Sequence, residues 1–234
     1  MTEEPSYDWI VLQEGTLALQ SDGSWRRELP HVCTSVLLWP EGQNPAPENT
    51  LIVDPCFTEA GLRDAQRRLA TIPTSLRAVG RYFETHAHWD HRLDVPAAGV
   101  TDAWQRFRPG EPSSLPGVAA VPCPGHERDL HALVFPSDHG QVWAVGDAIL
   151  GEAWLRAWQY YWPNGYLVHE IVDTWQSVAK ILIAANEVVP GHGPPFRVTA
   201  PLLRDIMANF RSAAEYADRC PDVYDALAAR LATF

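Results

Sequence analysis

The amino-acid sequence predicts a mixed α/β (α+β) fold in which two antiparallel-rich sheets pack together with helices outside. Three observations carry this prediction. Short apolar runs rich in β-branched and aromatic residues fall in two blocks, each block is followed by helical periodicity, and no internal repeat interrupts the 234 residues. A chain of this length can bury a substantial core.

In the first block, residues 9–13, 16–19, 33–39 and 50–53 read as strands separated by turn residues. Leu62, Ala65, Gln66 and Leu69 then recur at helical spacing, predicting a helix over 58–69 with Thr58 as N-cap before Glu59. In the second block, 79–84, 118–121, 130–135 and 141–145 each end at a turn or at a cluster of His and Asp. An aromatic segment follows Asp147. A helix is predicted over 171–185, a short strand over 187–189, and helices over 201–217 and 224–231. Residues 41–49 and 109–117 are loops by their Pro, Gly, Ser and Asn content. Neither shifts composition enough to mark a boundary, so residues 1–234 read as one domain.

Composition narrows the class. With 46% hydrophobic and 20% charged residues the chain is expected to fold. It has no apolar run of bilayer-spanning length, and its acidic start lacks a secretory pattern. The expectation is a cytoplasmic protein with no membrane partner. Eighteen Lys+Arg against 29 Asp+Glu leave a net charge of −11, poorly suited to nucleic acid, although a local basic groove stays open. Cys33, Cys56, Cys123 and Cys220 form no C-x-x-C pair and read as free thiols, Cys123 as a small buried hydrophobe.

The most informative segment is His86-Ala87-His88-Trp89-Asp90-His91. In extended chain, i and i+2 point the same way, so His86 and His88 can reach one ion. A following turn swings Asp90 and His91 toward a second. Imidazoles with a carboxylate suit a borderline divalent metal such as zinc. His126, Asp147 and His192 each stand in a glycine-containing turn directly after an apolar run. Each alone reads as a turn residue; with the cluster they supply further donors.

This order of His and Asp, each at a strand end, resembles the metallo-β-lactamase superfamily over residues 51–196. The resemblance implies a four-layer αββα sandwich with two divalent metal ions at one edge, zinc foremost with iron or manganese as alternatives. It implies that His86, His88 and His126 bind the first ion, that Asp90, His91 and His192 bind the second, and that Asp147 bridges them. Asp54, at the end of the strand 50–53, is read as orienting ligands rather than as a ligand. Residues 188–198 and 124–129 resemble short single-domain members, relatives of which are linked to RNA 3′-end cleavage. Glu127 and Arg128 depart from the small residue usual after this histidine.

The chemistry implied is hydrolysis of an ester-like bond (ester, lactone or thioester) in a small-molecule substrate by a metal-bridging hydroxide, with Asp90 orienting it and passing a proton. A phosphodiesterase or nuclease and an iron persulfide dioxygenase are the alternatives, with a vestigial binding protein behind them. Superfamily β-lactamases lack the bridging aspartate. Forty-two residues after His192 leave too little room for a full helical thioesterase domain, and 44 between Asp147 and His192 leave none for a large nuclease insertion. On the substrate side, Trp154, Trp158, Tyr160, Tyr161, Trp162 and Tyr166 are placed over the site, a tyrosine hydroxyl donating to a developing oxyanion. The competing reading puts these rings in the core or in a homodimer interface, and helical spacing favours the core for Leu155 and Trp158. His169 is a further pocket candidate, while His31, His131 and His139 show no ligand spacing.

Overall fold

A computed structural model describes residues 5–18, 26, 28–72, 74–96, 99–160 and 166–234. The first sheet contains β1 (Tyr7–Gln13), β2 (Ser35–Pro40), β3 (Leu51–Val53), β4 (Arg81–Phe83) and β5 (Gln105–Arg106), hydrogen-bonded in that order. Its first two pairings are antiparallel and its last two parallel. Helix α1 (Glu59–Leu69) provides the crossover that a parallel β3–β4 pairing requires. Thr58 caps it, its side chain accepting from Gly61 N at 3.0 Å.

The second sheet runs β6 (Ala119–Pro122), β7 (His131–Ser137), β8 (Gly140–Gly146), β9 (Glu187–Pro190) and β10 (Phe196–Arg197). Only its β8–β9 pairing is parallel, bridged by α2 (Glu152–Arg156) and α3 (Val168–Ala184). Helices α4 (Ala200–Ala213) and α5 (Pro221–Leu231) close the chain.

Alternation along the strands builds the layers. Val36 and Leu38 of β2 meet Leu133 and Phe135 of β7 between the sheets. Leu37 of β2 and Ile52 of β3 face the other way, against Leu62, Ala65 and Leu69 of α1. Ala132 and Val134 of β7 likewise face outward, into a core with Trp175 and Leu182 of α3, Phe210 of α4 and Leu227 of α5. The result is an αββα sandwich, and it explains why β2 is buried throughout Ser35–Trp39.

The structure differs from expectation in detail. Five of the sheet pairings among the described residues are antiparallel and three parallel, so both sheets are mixed. Of the strand expected at 16–19, Thr16 forms an isolated bridge to Val32 and the Ala18 carbonyl accepts from Arg26 N at 2.8 Å, while Leu19 lies outside the described residues. β5, α2 and β10 are too short to leave a periodic signal. Helix α4 stops at Ala213, short of the predicted end at 217, and Tyr216 beyond it is left-handed with φ 55°. The four cysteines are free, and no helix among the described residues is long and apolar enough to cross a membrane.

Candidate metal centre

β3, β4, β6, β8 and β9 all deliver their C-terminal ends to one edge of the sandwich: β3 is parallel to β4, and β6 and β9 share the direction of β8. The turns there carry Asp54, residues 85–91, His126, Asp147 and His192. The histidine-rich turn is drawn tight. His91 N donates to His88 O at 3.1 Å, and Glu84 Oε1 accepts from Leu93 N at 2.9 Å. Gly191 permits the closest approach of two turns, because a Cβ there would collide with Asp147 Oδ1 and the Gly146 backbone.

Asp147 is 5% exposed, and its two carboxylate oxygens face different histidines. Oδ2 lies 3.3 Å from His126 Nε2 and 3.9 Å from His86 Nε2. Oδ1 lies 3.1 Å from His91 Nε2 and 3.3 Å from His192 Nε2. Asp90 Oδ2 sits beside the second pair, 3.6 Å from His192 Nε2 and 3.7 Å from His91 Nε2. Donor atoms of His86, His88, His126 and Asp147 fall within 4.8 Å of one another, as do those of His91, Asp147 and His192.

Outer partners aim the rings inward. Asp54 Oδ2 lies 2.8 Å from His91 Nδ1, and Asp54 also accepts from Thr85 N at 2.7 Å and Thr85 Oγ1 at 2.8 Å. Thr85 Oγ1 is 3.1 Å from His86 Nδ1, and the Val32 carbonyl is 2.9 Å from His192 Nδ1. Asp54 holds this arrangement at φ 45°, a left-handed conformation unusual for a residue other than glycine.

The inward atoms are left over. His86 Nε2, His91 Nε2, His192 Nε2, Asp90 Oδ2 and Asp147 Oδ1 are buried and make no hydrogen bond among the described residues. Buried polar atoms are nearly always paired, so this concentration of inward-facing donors marks the place where a cation would sit. Imidazole and carboxylate donors fit a borderline divalent cation. The electrostatics agree. Burial pushes His126 down to about 4 and, with help from His91, holds His86 well below its ordinary value, so both keep free lone pairs. Burial alone would raise Asp147 and Asp90. His91 and His192 outweigh it and hold Asp147 well below the carboxylate range, and His31, His91 and His192 bring Asp90 down. Burial opposes a charge on His91, but Asp147 and Asp54 on either side raise it well above the usual imidazole value.

No protein-family model matches the chain. It is similar to metallo-β-lactamase domain-containing protein 1 of Homo sapiens, 35% identical over 131 residues that cover 49% of this chain and 47% of the relative. The protein of that name from Xenopus laevis is 34% identical over 131 residues, covering 49% and 54%. The chain spans about half the length of the curated relatives it matches. A metallo-β-lactamase family protein from Thermus thermophilus superposes with a TM-score of 0.52 over 96% of this chain and 91% of that one, at 16% identity. A metallo-β-lactamase from Staphylococcus aureus gives 0.51 over 95% and 66%, at 11% identity.

The fold is that of the metallo-β-lactamase superfamily.

Within this metallo-β-lactamase fold, His86, His88, Asp90, His91, His126, Asp147 and His192 converge on one edge, with Asp54 beneath His91. Of the aromatic residues expected to face substrate, the described Tyr160 and Tyr166 lie beside His126. The Tyr166 hydroxyl donates to the His126 carbonyl at 2.7 Å, and its ring stacks on His126 with centroids 6.1 Å apart. Tyr160 packs against Trp175 and His126, with ring centroids 6.2 and 5.7 Å away. Both rings back His126, because α3 and the core behind it draw them inward. Leu155 and Trp158 are core residues, with Trp158 Nε1 donating to Ile206 O. Tyr161 and Trp162 lie outside the described residues. His169 is exposed on the first turn of α3, lining a surface groove with Asp173, Gln176 and Arg219 that contains none of the clustered residues.

Two residues at the cluster carry no role in the sequence reading, His31 for want of ligand spacing and Glu127 although its position after His126 stands out. His31 Nε2 lies 3.1 Å from Asp90 Oδ2, its ring set between Trp89 and His192. Glu127 Oε1 lies 2.9 Å from His88 Nε2. A topological signal for His31 existed. β2 runs antiparallel to β3, so residues just before β2 arrive at the edge where β3 ends.

Proposed function

We propose that this chain is a dinuclear metal-dependent hydrolase, loaded with zinc, that cleaves an ester-like bond (ester, lactone or thioester) in a small-molecule substrate. One observation carries the reading: the two oxygens of the buried Asp147 are shared between two separate sets of histidine donors. In this reading His86, His88 and His126 hold the first cation, Asp90, His91 and His192 hold the second, and Asp147 serves both. Two such cations supply Lewis acidity, polarising the scissile bond and making water acidic enough to attack at neutral pH.

The chain's own groups do the rest. Asp90, kept ionised, points Oδ2 at the second donor set, where it orients the attacking water and accepts its proton. As the bond to the leaving oxygen or sulfur breaks, that proton passes to the leaving group. Glu127, partly exposed beside His88, and a net charge of −11 favour a small substrate over a polyanion.

The test is metal analysis followed by a substrate panel. Zinc at close to two per chain, and hydrolysis of an ester, lactone or thioester well above a His88→Ala control, is the expected result. A panel on which only phosphodiesters turn over would replace this reading with a nuclease-type one. Iron as the bound metal, with persulfide oxidation, would overturn it.

A further inference from the structure

Glu127 stands directly after His126, in the turn between β6 and β7. Its Oε1 lies 2.9 Å from His88 Nε2, on the outer side of that ring. The inner nitrogen, His88 Nδ1, lies 2.9 Å from His126 Nε2 and faces the cluster. A carboxylate accepts hydrogen bonds and donates none, so the contact places the proton on Nε2 and the lone pair on Nδ1. His88 is therefore turned the opposite way from His86, His91 and His192, whose Nδ1 atoms face outward to Thr85, Asp54 and the Val32 carbonyl. Those three histidines are buried, between 0% and 5% exposed. His88, with 30% of its side chain exposed, has the greatest freedom to flip, and Glu127 is the group that fixes it.

We propose that Glu127 is a positioning residue that holds His88 in the Nδ1-inward tautomer and so sets how tightly the first donor set takes a divalent cation. The inference rests on the metal-dependent reading above and adds to it a residue outside the seven donors. Because Glu127 is partly exposed, its replacements are expected to fold.

The experiment measures zinc affinity by chelator competition in the wild type, Glu127→Leu and Glu127→Gln. Outer carboxylate partners of metal-binding histidines are worth about 10–100-fold in affinity, so Glu127→Leu is expected to weaken one zinc by that factor and leave the other unchanged. Glu127→Gln, whose amide oxygen still accepts, is expected to stay within about threefold of wild type. In cobalt-loaded protein, the His88 ring N–H should give a slowly exchanging shifted proton resonance in wild type and Glu127→Gln that is lost in Glu127→Leu. Equal affinity in Glu127→Leu and wild type would overturn the inference while leaving the proposed function standing. So would an equal fall in Glu127→Gln, since charge rather than a held tautomer would then be acting. A wild type that takes up no zinc would overturn the metal reading and this inference with it.

Discussion

Asp54 Oδ2 and His91 Nδ1 lie 2.8 Å apart with both residues buried, so a carboxylate at the end of β3 orients an imidazole in the turn after β4. Asp54 satisfies Thr85 as well, through N and Oγ1. Asp54→Ala leaves three buried donors without an acceptor, at about 1–3 kcal/mol each before relaxation. The expected outcome is a loss of about 2–4 kcal/mol in stability and, on the dinuclear zinc reading proposed above, a zinc content that falls toward one per chain. Chemical denaturation and metal analysis check both.

Gly191 stands where a side chain would press on Asp147 Oδ1. Gly191→Ala is expected to displace that oxygen and move the Gly146 backbone, costing about 1–3 kcal/mol as in other overpacked sites. Because Asp147 faces both donor sets, affinity for both cations should fall together. Loss of one cation alone would show that Asp147 does not serve the two sets jointly.

Tyr166 separates two roles for a hydroxyl. As an oxyanion donor its removal would cost about 10²–10³ in turnover. The structure instead has it donating to the His126 carbonyl. Tyr166→Phe is therefore expected to lower stability by about 1 kcal/mol and turnover by less than about tenfold. Steady-state kinetics beside thermal unfolding distinguish these.

Acid should destabilise the metal-free protein through His126. Burial lowers its folded-state value to about 4, against 6.5 in an unfolded chain. Between those values the unfolded chain binds the extra proton, so stability falls as pH drops from about 6.5 toward 4. The contribution is about 2–3 kcal/mol between pH 7 and 4.5. His126→Asn lacks it. The stability difference between wild type and this variant, read by urea unfolding in chelator, should shift by that amount, and a pH-independent difference would count against the assignment.

Much of the fold was legible because it depends on local pattern. Leu62, Ala65 and Leu69 announce α1, and Thr58 marks its start. Val36 and Leu38 against Leu37 announce a strand buried on both faces. β5 and β10, two residues each, are made by pairing with a neighbour, and nothing in their own residues specifies them.

For the candidate site, the sequence alone determined the donor chemistry: four ligand-type side chains in six residues, with His126, Asp147 and His192 waiting in turns. Tertiary structure decided that those turns meet, because shared strand direction brings β4, β6, β8 and β9 to one edge. It also decided which residues stand behind the donors. His31 and Glu127 have no telling spacing, and Tyr160 and Tyr166 point where α3 and the core direct them. Residue type and local period are written along the chain, whereas the direction a side chain takes across a long sequence separation is set by strand pairing and by what must be buried.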